Sequence, residues 1–167
     1  MKLTKKIFIE PKYLDKQILI NYISKTLEKE YKYTCNKKYG FILNIAKIHE
    51  FSDIILNDKG YGITNVCFTI NNIKPEPKLK LNAVIISIHC HGIMALPQDM
   101  AELKMQKPSI PIWIGVSELN KCKLTYKSST FTDGLHKNIE KGDIVSVTLL
   151  NIIYRQNMFS CLATINI

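Results

Sequence analysis

The stretch Ser87-Ile88-His89-Cys90-His91-Gly92-Ile93-Met94 sets two of the chain's four histidines around a cysteine and follows them with a glycine. On a strand, where side chains alternate, His89 and His91 share one face and Cys90 takes the other. Such a pair can supply two ligands of a zinc site, but a third has to come from elsewhere. His49, His136 and Cys122 are the candidates, and no local spacing recommends any of them. The stretch therefore reads as strand histidines flanking a bend at Gly92, with no metal and no cofactor expected.

Other catalytic patterns are missing from the sequence. There is no H-E-x-x-H, no G-x-S-x-G and no P-loop. The glycines of Lys59-Gly60-Tyr61-Gly62 open a strand instead of a helix, so they are not a dinucleotide fingerprint. No cysteine has a base pattern nearby, and Glu140 and Asp143 sit on a Lys-Gly-Asp turn where solvation accounts for them. The expectation is a chain without catalytic residues of its own.

Binding chemistry is better represented. Nucleic acid requires positive charge for phosphates and flat faces for bases. Lys121, Lys123, Tyr126, Lys127 and Arg155 are the candidate contacts, with Trp113, Phe131, Tyr154 and Lys137 near them in sequence. Trp113 stands among Ile110, Ile112 and Ile114, which reads as core or interface before stacking platform. The chain has 23 Lys and Arg against 14 acids, net +9, so an acidic partner fits. Residues 1–80 hold 15 Lys against 8 acids, so most of the excess is there. The same lysines are also compatible with an ordinary solvated surface, being scattered and nearly without arginine.

The elements that must position these residues fall into two halves. Leu3–Glu10 reads as a strand stopped by Pro11, and Leu14–Tyr31 as an amphipathic helix with Ile20, Ile23, Leu27 and Tyr31 on one face. Strands follow at Phe41–Ile48 and around Val66–Ile70. Pro75 and Pro77 make a short stiff hinge, which places a boundary between domains 1–77 and 78–167. Beyond it, Leu81–Cys90 reads as one strand that bends at Gly92 and continues through Ile93–Leu96 to Pro97, and Ile110–Leu119, Cys122–Lys127, Ile144–Tyr154 and Met158–Ile167 read as four more, with a loop over 128–143 and a helical turn or two within 98–107. About five short curved strands with a glycine bend in the first are what a small closed OB-type barrel requires.

A composition of 46% apolar and 22% charged residues belongs to an ordered globular chain. Five widely spaced cysteines without a C-x-x-C pair read as free thiols in a reducing compartment. No leader or spanning segment is recognisable, so the expected location is intracellular.

In order along the chain, these segments resemble the stalk subunit of multisubunit RNA polymerases: the seventh-subunit family of RNA polymerase II together with its archaeal counterpart. The matching pieces are Ile7–Pro11, the helix ending Thr26-Leu27-Glu28-Lys29-Glu30-Tyr31, and Cys35–Ile45 at the family's Cys-x-x-x-Tyr/Phe-Gly-Tyr-Ile stretch. Val66–Pro75, Ala83–Ile93 and Ile139–Leu149 continue the match over essentially the whole chain. The resemblance implies an α+β protein: an N-terminal ribonucleoprotein-like tip domain, then a C-terminal five-stranded OB-type barrel. It further implies that Lys38, Tyr39, Gly40 and Phe41 wedge against the polymerase core, that a smaller stalk partner binds, and that the barrel meets nascent RNA. The chain departs from the family where Lys78 and Ala83 replace glycines, Ile93 replaces a phenylalanine and Ser146 replaces an arginine. Together with the abundance of Ile, Lys and Asn, these departures fit a divergent viral copy, working in the host cytoplasm or nucleus or packaged in a virion.

Overall fold

Pro11 and Asp15 punctuate the beginning of the chain as their chemistry dictates. Proline ends the first strand, β1 (Lys2–Ile9), and opens a single 3-10 turn. The Asp15 carboxylate accepts the Gln17 N–H at 2.8 Å and so caps helix α1 (Lys16–Tyr31). The chain continues through β2 (Cys35–Asn36), β3 (Gly40–Phe51), β4 (Ile55–Leu56) and β5 (Gly62–Ile73). This computed structural model describes residues 1–103, 110–134 and 138–166. It is a mixed α+β protein, mostly strands with few helices. Two compact units form, Met1–Cys35 with Tyr39–Ile73, and Asn36–Lys38 with Lys74–Ile167.

In the first unit the strands form an antiparallel sheet of order β1-β5-β3-β2, with β4 also paired to β5. Helix α1 lays Leu19, Ile23 and Leu27 onto Ile7, Ile9, Ile42, Val66, Phe68 and Ile70. Burying each such side chain contributes about 1.5–3 kcal/mol, which holds a helix that would be marginal alone. The buried stripe recurs every four residues, so Ile20, expected on that face, is turned out and 58% exposed. Strands β3 and β5 slip register three times along their length, and such bulges increase the local twist.

The second unit is built from β6 (Lys80–His89), β7 (Gly92–Pro97), α2 (Gln98–Ala101), β8 (Ile112–Gly115), α3 (Val116–Lys121), β9 (Thr125–Lys127), β10 (Thr130–Thr132), β11 (Asn138–Ile139), β12 (Ile144–Arg155) and β13 (Met158–Asn166). Five of these strands close a barrel in the order β12-β13-β8-β7-β6, which is OB-like. Closure comes from β12 pairing with β6 and from β13 lying parallel to β8. Alternate residues fill the interior, among them Ala83, Ile85, Ile93, Ala95, Ile112, Ile114, Val147, Leu149, Cys161 and Ala163.

Three sequence expectations need correction here. Val116–Leu119, read as strand, is the start of α3, because a run so short carries no period of its own. The segment 128–143, read as loop, contains β10 and β11, which join β9 in a small separate sheet. Residues His89 and His91 do not share a strand face: β6 ends at His89, Cys90 and His91 form a tight turn, and Gly92 begins β7 opposite His89. Among the described residues no helix is long and apolar enough to cross a membrane.

Candidate nucleic-acid interface

Barrel register fixes which side chains face outward. With Ile112 and Ile114 buried inside, Trp113 between them must point out, and it is half-buried. Its neighbours across the strands are Met94 on β7 and Leu162 on β13, and Leu162 in turn lies opposite Asn151 on β12. Met94, Trp113, Leu162 and Asn151 thus form one transverse row over four strands. With Ile153 and Ser160 they line an open groove of about 320 Å³. Ile153 and Leu162 are 47% and 46% exposed, so the row is an uncovered apolar surface and not a piece of core.

Two features of the hairpin joining β6 and β7 hold the indole. The His89 ring lies at 28° to it with centroids 6.4 Å apart, and His89 Nε2 is 3.2 Å from the Ser87 hydroxyl. Gly92 sits beneath: a Cβ there would fall 2.3 Å from the Ile114 carbonyl oxygen and 2.9 Å from Trp113 Cζ2. Its φ of +150° also lies outside the range comfortable for other residues. Gly92 is therefore the seat of the tryptophan. The turn it follows also anchors α3, since Val116 N–H donates to the His91 carbonyl at 3.0 Å.

The predicted contacts do not form one patch. Lys121 ends α3 and is paired with Glu118 at 2.6 Å, so its charge is already matched. Beside it, Cys122 Sγ reaches the Ile165 carbonyl near the end of β13. Arg155 lies at the other end of that strand, opposite Met158. Seven residues of strand separate these ends, about 23 Å. Lys123 and Lys127 are exposed, and Tyr126 stands edge-on to the fully buried Phe131, with centroids 5.5 Å apart. Tyr154 tilts against Phe159 and is half-buried, while Lys137 lies outside the described residues. Alternation along β12 instead puts Arg155 on the outward face that carries Asn151 and Ile153, four residues along the strand from Asn151, and Arg155 has no ion pair among the described residues. Sequence reasoning missed this face because Ile110–Ile114 is apolar almost throughout, and such a run does not say which side is inside.

For the residues that the resemblance assigns to core contact, the structure separates backbone from side chain. Phe41 is fully buried, so its ring is not offered to a partner. Gly40, with φ +77°, makes the turn into β3; Tyr39 is half-buried and Lys38 exposed. Exposed apolar groups are found elsewhere on the first unit. Phe8, Ile63 and Ile55 form a row across β1, β5 and β4, with Phe8 57% and Ile55 69% exposed.

Among the described residues no three His, Cys, Asp or Glu side chains are grouped to hold a metal ion; His136 lies outside them. All five cysteines are free. Burial pushes the Cys161 thiol up to about 12 and that of Cys35 up to about 11, while Cys90 is exposed on its turn. An unfolded thiol ionises near 8.5, so these two favour the folded state's protonated form and lose that advantage as pH rises from about 8.5. Iodoacetamide at pH 8 should alkylate Cys90 at least tenfold faster than Cys161, read by peptide mass spectrometry, and equal rates would contradict the burial.

The chain matches no protein-family model and no curated protein, so its functional reading rests on the residues and geometry above.

Proposed function

We propose that this chain is a non-catalytic stalk subunit of a DNA-directed RNA polymerase, docking on the core enzyme through its first unit and contacting nascent RNA through its barrel. The observation that carries the reading is the closed five-stranded barrel with its outward tryptophan groove, standing in sequence where the family resemblance puts an RNA-contacting domain. A base stacks on an indole face whatever its identity, and an arginine at the groove's end suits the phosphate that follows. That combination gives modest, sequence-tolerant binding, as a transcript of arbitrary sequence demands.

The docking half of the proposal draws on the first unit. The row Phe8, Ile63 and Ile55 leaves apolar surface that a protein partner would cover, and at the turn before β3 Tyr39 is half-buried, next in sequence to the exposed Lys38. A smaller stalk partner would join the same assembly, in the cytoplasm or nucleus of a virus-infected host cell. Recovery of polymerase subunits with the tagged chain tests this reading.

The second reading is a free-standing OB-like module for single-stranded nucleic acid, and the tryptophan groove favours it equally. It requires binding by the isolated chain, with affinity falling steeply as salt rises, and no polymerase subunits in the purified complex.

A further inference from the structure

Strand β1 is an edge strand, paired among the described residues only with β5, and the phase of its hydrogen bonds follows from its first pair. Met1 N donates to the Ile70 carbonyl at 2.9 Å and Ile70 N–H returns a bond to the Met1 carbonyl at 2.8 Å. In an antiparallel ladder such bonded pairs alternate with non-bonded ones. Leu3, Lys5, Ile7 and Ile9 therefore bond toward β5, and the backbones of Lys2, Thr4, Lys6 and Phe8 point away from it. Of these outward groups, the Phe8 carbonyl accepts the Tyr22 hydroxyl at 3.2 Å. Among the described residues, Lys2, Thr4 and Lys6 have no other backbone partner on that side.

An open groove of about 600 Å³ runs beside this edge, with Lys5, Lys6, Ile7 and Phe8 on the strand side and Thr26 and Glu30 of α1 on the other. A strand edge next to a helix wall is the arrangement by which extended peptides add to a sheet, main-chain bonds giving affinity and side-chain contacts giving selectivity. Charge decides what kind of strand fits. Lys2 and Lys6 project from one face of β1 and Lys5 from the other, where its ammonium is held by Glu30 across the groove. Two copies of β1 laid edge to edge would bring lysines together, which disfavours self-pairing. An acidic strand would be matched.

We propose that the free edge of β1 is a strand-addition site for an extended segment of a partner protein. That segment carries acidic side chains opposite Lys2 and Lys6 and apolar ones toward Ile7 and Thr26. The site belongs to the first unit, whereas the tryptophan groove belongs to the second, and it does not depend on membership of a polymerase.

The test uses the full chain and an octapeptide of alternating glutamate and valine. Amide hydrogen exchange at Thr4 and Lys6 is expected to slow at least tenfold on adding the peptide, while Lys5 and Ile7, already bonded to β5, stay slow throughout. A lysine-valine octapeptide should give no slowing. Thr4→Pro removes an outward N–H and no β1–β5 bond, so it should abolish peptide binding and leave the melting temperature within a few degrees. The proposal is overturned if Thr4 and Lys6 are not protected at millimolar glutamate-valine peptide, or if the lysine peptide protects them equally. It is also overturned if protection appears without peptide as the chain self-associates, if an oligonucleotide protects these amides and the peptide does not, or if folded Thr4→Pro still binds. Should Thr4→Pro fail to fold, exchange in the unmodified chain decides alone.

Discussion

Gly92→Ala is expected to lower the melting temperature of the second unit by about 10–20 °C. The added methyl would sit 2.3 Å from the Ile114 carbonyl oxygen, a backbone atom that cannot swing away. Backbone strain at φ +150° adds to it. Strain and overpacking each cost about 1–3 kcal/mol, so a combined loss of about 3 kcal/mol is expected. For a unit of this size each kcal/mol moves the midpoint by about 4–8 °C. Gly142→Ala is the control, since it shares a positive φ but its Cβ would meet nothing within 4 Å. It should cost about 1 kcal/mol from backbone strain alone. The chain has a single tryptophan, Trp113, so intrinsic fluorescence follows unfolding at the groove itself. A Gly92→Ala protein melting within 2 °C of the unmodified chain would contradict the account of the seat.

Trp113→Ala should weaken binding of a ten-nucleotide oligouridylate by about 10- to 100-fold, since stacking of one base contributes about 1–3 kcal/mol. Trp113→Phe keeps a flat ring and should recover most of the affinity. Arg155→Ala should weaken binding less and flatten its salt dependence by about 0.7 in logarithmic slope, the value of one phosphate contact on a single strand. Removing Lys121, whose charge Glu118 already matches, should change little. Stacking should also quench the fluorescence of Trp113 in the unmodified chain. If Trp113→Ala, verified as folded by circular dichroism, binds like the unmodified chain, the groove is not the transcript contact; if the unmodified chain itself does not bind even at low salt, the barrel is a purely structural stalk.

How far the sequence carried the fold depended on whether each segment had a period to read. Strand β13 alternates cleanly and β12 does so up to a register shift between Leu149 and Asn151, and their pairing around Arg155-Gln156-Asn157 was readable. Pro11 and the spacing of Ile23 and Leu27 announced β1 and α1, but the choice between Leu19 and Ile20 was settled only by the sheet beneath. Strand β9 was read within Cys122–Lys127, but β10 and β11, three and two residues long and too short for any period, went unseen. Within the candidate site, Arg155 was legible as a residue and illegible as a neighbour. Its distance from Lys121 and its place on the face of Asn151 and Ile153 follow from the β12–β13 pairing, and that face reaches Trp113 only through the parallel pairing of β13 with β8, a contact between segments nearly fifty residues apart. The opening histidines changed meaning for a similar reason: a tight turn after His89, which the strand period conceals, leaves His89 beside Trp113 and Gly92 below it.

The central claim is membership of a polymerase, and it is tested most directly by purifying the tagged chain from the cells in which it is naturally made and identifying what accompanies it by mass spectrometry. The account predicts the large polymerase core subunits in near-stoichiometric amounts, retained at salt concentrations that strip nucleic acid from the complex. Recovery of the chain alone, or with nucleic acid and no polymerase component, would contradict it.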